Sequence, residues 1–230
     1  MTALRTEIEP LGDAALLIRL GERIDEATHR RVAAVSAHLA THSFPGMIEQ
    51  VPAFTTIAVY YEPLRVAGVE SAFARASALV SELLVGVPDQ PLSESEPVEI
   101  PVCYGGDLGP DLDFVAEHAK ISLDDVVKIH AAGDYRVYMI GFAPGFPFLG
   151  GLDERISAPR RSSPRLAVPA GSVAIGGKQT GVYPIETPGG WQIIGRTRLP
   201  LFRPDLSPPT LLQMDGRVRF RAISRAEFDR

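Results

Sequence analysis

Cysteine is almost absent: the 230-residue chain has a single one, Cys103. One thiol excludes an internal disulfide and any cysteine-rich zinc site. An excess of positive charge is also missing, since 23 lysines and arginines stand against 28 aspartates and glutamates, for a net charge of -5. A nucleic-acid binder that neutralises phosphates wants the opposite balance, concentrated on one face. Long apolar runs are lacking too, and none approaches the ~18 residues that a membrane span needs. The first ten residues, MTALRTEIEP, carry no signal-peptide core, so a cytoplasmic address is expected, with no membrane and no nucleic acid as partner.

What is present is ordinary in total and uneven in distribution. Hydrophobic residues make up 45% and charged residues 22%, the values of a globular chain rather than a disordered or collagen-like one. The length fits one large domain or two small ones. Glycine and proline total 21 and 20, and 11 of each fall between Gly141 and Pro209.

The first part alternates strand and helix character. Ala14–Leu20 is a short apolar run closed by Gly21 and reads as a strand. Asp25 is placed to cap a helix on which Val32, Val35 and Leu39 recur at helical spacing. His29, His38 and His42 lie around that helix and are expected in solvent. Thr55–Tyr61 is β-branched and aromatic, as a half-buried strand requires. Val69, Phe73, Ala76, Val80 and Leu83 then share one helix face, which stops near Gly86. This predicts a small α+β domain over residues 1–86, with helices on one face of a sheet. Residues 87–97 (VPDQPLSESEP) have the composition of a linker.

A second domain is expected over 98–230. Val98–Tyr104 and Tyr135–Ile140 read as strands, and Asp111–Lys120 and Leu123–Ala132 as helices, the latter capped by Ser122. Beyond them the short runs LAVP, SVAI, VYPIE, WQIIG, TRLPLF, TLLQM and VRFRAI are separated by turn residues. Many short strands without helices point to a barrel or sandwich.

Familiar motifs fail. Gly171–Thr180 has the superficial look of a phosphate loop, but Ser172 and Gln179 occupy positions that need glycine and Ser/Thr. No G-x-S-x-G elbow, H-E-x-x-H or dinucleotide fingerprint occurs. For His118 and His130, and for Cys103, a structural role is simpler than a metal or nucleophile role, and no metal site is expected. The informative stretch is Tyr138–Arg196, where glycines and prolines frame Arg165, Ser172, Lys178, Gln179, Thr180, Tyr183, Glu186, Thr187 and Arg196. Such groups suit a small polar or anionic substrate. They equally suit a barrel with tight turns and scattered surface polar groups, and spacing alone does not choose. Phe142, Phe146, Phe148 and Trp191 fit an apolar lining or plain core.

GFAPGFPFLGGL, PRLAVPAGSVAIGGKQTGVYPIETPGGWQIIGRT and GDAALLIRLGERID together resemble the allophanate hydrolase subunit 1 family, from about Glu7 to Ile223. That family includes KipI and the B-type subunit of bacterial 5-oxoprolinase, and resembles part of the carboxyltransferase region of urea carboxylases. The resemblance implies an α+β fold class: a small N-terminal α+β domain followed by a C-terminal cyclophilin-like β-barrel. It implies a subunit 2 partner and a lactam-hydrolase subunit, with ATP and Mg2+ as co-substrate of the complex. The implied activity is ATP-coupled opening of 5-oxoproline to glutamate. Alternatives in the same family are a KipI-like inhibitor of a histidine kinase and a carboxyltransferase-like subunit acting on a urea-type amide. No biotin-acceptor lysine motif is present, so no biotin is expected on this chain. On this reading Arg165 and Arg196 bind a substrate or nucleotide anion. Ser172, Gln179, Tyr183 and Thr187 orient the reacting amide, and the amides of Gly176 and Gly177 serve as oxyanion donors. His118 is a weaker candidate for proton transfer. Lys178 stands where a small or apolar residue is expected in relatives, and its role is open.

Overall fold

Alternation of large apolar side chains with polar ones builds the N-terminal sheet. In the computed structural model, which describes residues 6–66, 68, 71–87 and 91–230, strands β1 (Glu7–Pro10), β2 (Ala15–Arg19), β3 (Met47–Pro52) and β4 (Thr56–Tyr61) form an antiparallel sheet in the order β1-β2-β4-β3. Leu16 and Ile18 of β2 and Ile57, Val59 and Tyr61 of β4 are buried. Helix α1 (Glu26–Thr41) is capped by the Asp25 carboxylate, which accepts from the Thr28 N–H at 2.8 Å. It buries Val32, Val35 and Leu39, each worth roughly 1.5–3 kcal/mol against exposure. His29 is buried as well, contrary to the expectation of a solvated side chain, because it lies three residues before Val32 on the same face. After a short α2 (Pro63–Val66), α3 (Ala72–Leu84) is capped by Ser71 and buries Ala76 and Val80. Val69, expected on that face, lies outside the described residues, as do residues 88–90 of the expected linker.

The chain divides into two compact units, Met1–Leu92 and Ser93–Arg230. The second is built on a closed seven-strand barrel. Its strands are β5 (Val98–Tyr104), β6 (Tyr135–Ile140), β7 (Pro147–Gly150), β9 (Ser172–Gly176), β10 (Gln179–Val182), β12 (Gln192–Arg196) and β13 (Arg217–Ala222), in the order β10-β7-β6-β13-β5-β12-β9. All neighbours are antiparallel except β13 and β5. Helices α4 (Leu112–Ala119) and α5 (Leu123–Ala132) add Leu112, Val115 and Val126 to the core that fills the barrel. A ribbon of β8 (Arg165–Val168) and β11 (Thr187–Gly189) stands apart from it, and α6 (Arg225–Phe228) follows β13. The α+β class and the barrel expected from the sequence are both present.

Two of the expected strands are not. TRLPLF and TLLQM belong to an irregular segment whose one sheet-like contact is the Phe202–Thr210 bridge. Pro200, Pro204, Pro208 and Pro209 have no N–H to give a ladder. Of VYPIE only Val182 is strand, as the last residue of β10, whose other residues precede the expected run; Pro184 blocks its continuation. Four strands escaped the sequence reading altogether, and β10 escaped it but for Val182. β1 and β3 mix charge and proline with their apolar positions, and β7 and β11 are rich in glycine and proline.

Candidate functional site

The two sides of the wall formed by β9, β10 and β12 carry different residues. Val173, Ile175, Val182 and Ile194 point into the barrel core, whereas Ala174 and Ile193 belong to a second cluster on the outside. Small outer residues leave room for rings from neighbouring segments. At Gly176 an added Cβ would stand 2.5 Å from the Trp191 indole, and at Gly189 one would stand 2.4 Å from the Tyr183 hydroxyl. Only glycine lets these rings lie flat on backbone. Phe146 packs between them, its ring 5.1 Å from Tyr183 and 5.6 Å from Trp191, both nearly edge-on. Such geometry sets the positive ring edge against the negative face.

A cleft of about 330 Å³ opens on this outer cluster. Its walls include Phe142, Phe148, Tyr183 and Trp191, with Arg160 and Arg161 at the polar side. Phe142 is 66% exposed and holds φ at 70°, a left-handed conformation strained for a bulky residue. Its ring meets Phe146 edge-on at 5.4 Å. The Arg160 guanidinium sits 5.8 Å from the centre of the Trp191 ring, within cation–π range.

Asp111 anchors the arginine side. Its carboxylate, 6% exposed, accepts two bonds from Arg165 at 2.8 Å each, one from Arg161 at 3.1 Å and one from the Ile193 N–H at 2.7 Å. Asp111 stands at the N-cap of α4 but makes no side-chain cap bond there. Its oxygens are turned to the arginines and β12 instead. The Arg161 N–H also donates to Gly190 O at 2.7 Å, which fixes the 159–164 segment beside Trp191. One carboxylate shared by two guanidiniums leaves one positive charge over, and Arg160 adds a second. Among the described residues no acidic side chain lines the cleft. Among the described residues the buried Nε of Arg161 has no acceptor.

Tyr183 completes the polar set. Burial pushes its phenol up, against the pull of the Trp191 amide and of Arg160 and Arg165. It is therefore neutral at pH 7. A neutral phenol keeps its hydrogen and can donate it.

Inside the barrel the polar groups are closed on each other. The Thr180 hydroxyl donates to Ala174 O at 2.9 Å, so it accepts from His130 Nε2–H at 2.9 Å. His130 Nδ1 then accepts from the Tyr104 hydroxyl at 2.8 Å. This order fixes the imidazole as the neutral Nε2–H tautomer. Burial lowers its pKa to about 3 and raises that of Tyr104. The structural role expected for His130 is what this geometry describes.

The residues nominated from sequence do not converge. Tyr183 lines the cleft and Gly176 lies under the indole. Thr187 adjoins Pro188, a lining residue, but its hydroxyl donates to Pro188 O at 3.1 Å. Gln179 pairs with Gly176 at the start of β10, and its buried Nε2 has no acceptor among the described residues. Arg165 is spent on Asp111 rather than open to a ligand. The Gly177 N–H donates to Ala158 O at 2.7 Å, so it is no spare oxyanion donor. Ser172 is buried at the start of β9, opposite Arg196, whose Nε donates to Ala170 O at 2.9 Å. His118 is exposed on α4 and stacks on Phe114 at 6.1 Å. Lys178 pairs with Glu154 at the surface. Sequence reasoning missed Asp111, Arg160 and Arg161. Adjacent arginines held between Pro159 and Pro164 were the available signal, whereas Asp111 looked like an ordinary helix start.

Comparison with known proteins agrees with the fold. The model of the carboxyltransferase domain, subdomain C and D, matches residues 6–212. The chain is 50% identical over 230 residues to the B-type subunit of 5-oxoprolinase from Bacillus subtilis (strain 168), covering 98% of this chain and 96% of that protein. Against the B-type 5-oxoprolinase subunit of Escherichia coli O157:H7 the identity is 42% over 213 residues, covering 91% and 93%. The crystal structure of TTHA0988 is similar with a TM-score of 0.78 and 36% identity, over 91% of this chain and 40% of that longer one.

Proposed function

The chain belongs to the carboxyltransferase domain, subdomain C and D, family, and from that premise we propose that it is the B-type subunit of a 5-oxoprolinase complex. The observation that carries this reading is 50% identity, spread over 98% of the chain, to a 5-oxoprolinase subunit of that type. The complex would couple ATP hydrolysis to opening of the 5-oxoproline lactam, with a C-type subunit and a lactam-hydrolase subunit as partners. Its place of work would be cytoplasmic.

The chemistry explains why ATP is needed. Amide resonance makes a lactam carbonyl a poor electrophile. Transfer of the γ-phosphoryl group to its oxygen releases ADP and leaves a carbon that water can attack. Collapse of that adduct breaks the ring C–N bond, the nitrogen leaving with a proton, to give an acyl phosphate, which a second water hydrolyses to glutamate and phosphate. On this chain the outer cleft is the candidate place for the lactam. Tyr183, neutral and with a hydrogen to give, is suited to the amide oxygen, and Trp191 to the flat ring.

Purified chain is mixed with its C-type and lactam-hydrolase partners, and ADP release is followed with and without 5-oxoproline. The reading expects 5-oxoproline-dependent ADP release that disappears when this chain is left out. Release of equal size without it, or inhibition of a histidine kinase by this chain alone with no ADP release, would contradict the reading.

A further inference from the structure

We propose that the outer cleft of the barrel recognises its ligand by a carboxylate, and that Arg160, with the uncommitted edge of Arg161, is the recognition group. This deepens the functional reading above and rests on it for the identity of the ligand, a small carboxylated lactam. Three observations carry it. The cleft has aromatic walls and, among the described residues, no acidic lining residue, yet it holds two guanidiniums. Arg161 gives only one of its side-chain donors to Asp111, and its buried Nε has no acceptor among the described residues. Arg160 is held over Trp191 by a ring face rather than by a carboxylate.

The size and chemistry of the opening select the ligand class. At about 330 Å³ it stands at the small end of ligand sites, which run roughly 300–1,000 Å³. A compact ring with one carboxylate suits it better than a nucleotide triphosphate. A guanidinium fork matches a carboxylate in plane. The indole offers its face to a planar amide, and the Tyr183 hydroxyl donates to the amide oxygen at the other side. Asp111 is a positioning residue here. It touches no ligand, but it holds Arg161 and Arg165 and so the 159–164 segment that carries Arg160.

Trp191 is the one tryptophan of the chain, so its emission reports this cleft alone. The full chain is titrated with 5-oxoproline and, separately, with 2-pyrrolidinone, the same lactam without its carboxylate. The proposal expects a saturable change with 5-oxoproline, and binding of 2-pyrrolidinone weaker by about tenfold or more, as for loss of a charge-assisted contact. Arg160→Ala should weaken 5-oxoproline by about tenfold and leave 2-pyrrolidinone as it was. Arg219→Ala, an exposed arginine on β13, should change neither. No saturable response at millimolar 5-oxoproline, or equal binding of the two lactams, overturns the proposal. ADP release by the complex without this response would sink the cleft and leave the subunit assignment standing. Response without ADP release would do the reverse.

Discussion

The inner and outer faces of the same three strands, β9, β10 and β12, show two ways of handling polar groups. Inside, His130 is wholly buried and every polar atom around it has a partner: Tyr104 gives to it, Thr180 takes from it, and Ala174 O closes the chain. Outside, rings cover glycine backbone, and two arginines keep donors in reserve beside an open cleft. A satisfied network rigidifies a core and asks for nothing further. Unspent donors beside an apolar opening leave this face able to bind hydrogen-bond acceptors from outside. Asp111 stands at the border, tying β12 to the arginines of the outer face.

Breaking that border should give the largest effect. Asp111→Ala strands two guanidiniums and the Ile193 amide without their acceptor, and is expected to destabilise the barrel by about 3 kcal/mol or more in urea unfolding. Equal stability of this variant and the parent would erase the distinction between the border and an ordinary surface pair.

The inner network comes next. His130→Leu should cost about 2 kcal/mol, since it leaves Tyr104 without its acceptor and Thr180 without its donor. Its signature is pH dependence. The imidazole has a pKa of about 3 in the fold and near 6.5 in the unfolded chain. Between those values the unfolded state takes up a proton that the folded state refuses. Stability is therefore full above about pH 6.5 and falls as the pH drops toward 3, by up to about 1.4 kcal/mol per pH unit. Unfolding in urea at neutral pH and at about pH 5 should show this slope in the parent, and His130→Leu should lack that part of it.

On the outer face, Gly176→Ala puts a methyl group 2.5 Å from the indole and must displace the ring. A loss of about 1–3 kcal/mol and a red-shifted Trp191 emission are expected. An unchanged spectrum would mean that the ring does not lie on the strand. Smallest of all, Lys178→Ala removes a pair whose side chains are 73% and 75% exposed, and should shift stability by less than about 0.5 kcal/mol.

The sequence made the inner face legible and the outer face only in part. Strands Val98–Tyr104 and Tyr135–Ile140 and helix Leu123–Ala132 carry one period each, and their ends are marked by Ser122, glycine and proline. In the Gly/Pro-rich stretch the period is lost, because glycine marks both a turn and a strand position under a ring. So β7 and β11 went unread. The site followed the same rule. Tyr183 was found because it lies among turn residues, while Arg165 looked like an open cation only because its partner, Asp111, is 54 residues away. Pairing across such a distance decides which arginine is structural, and local pattern does not contain it.

The central claim is that Arg160 on the outer face serves the substrate. Its most direct test is the KM for 5-oxoproline in ADP release by the reconstituted complex, measured with Arg160→Ala and with Arg219→Ala. The account predicts a KM raised by about tenfold or more for Arg160→Ala, at little change in kcat, and no change for Arg219→Ala. The same KM for both variants and the parent would contradict it.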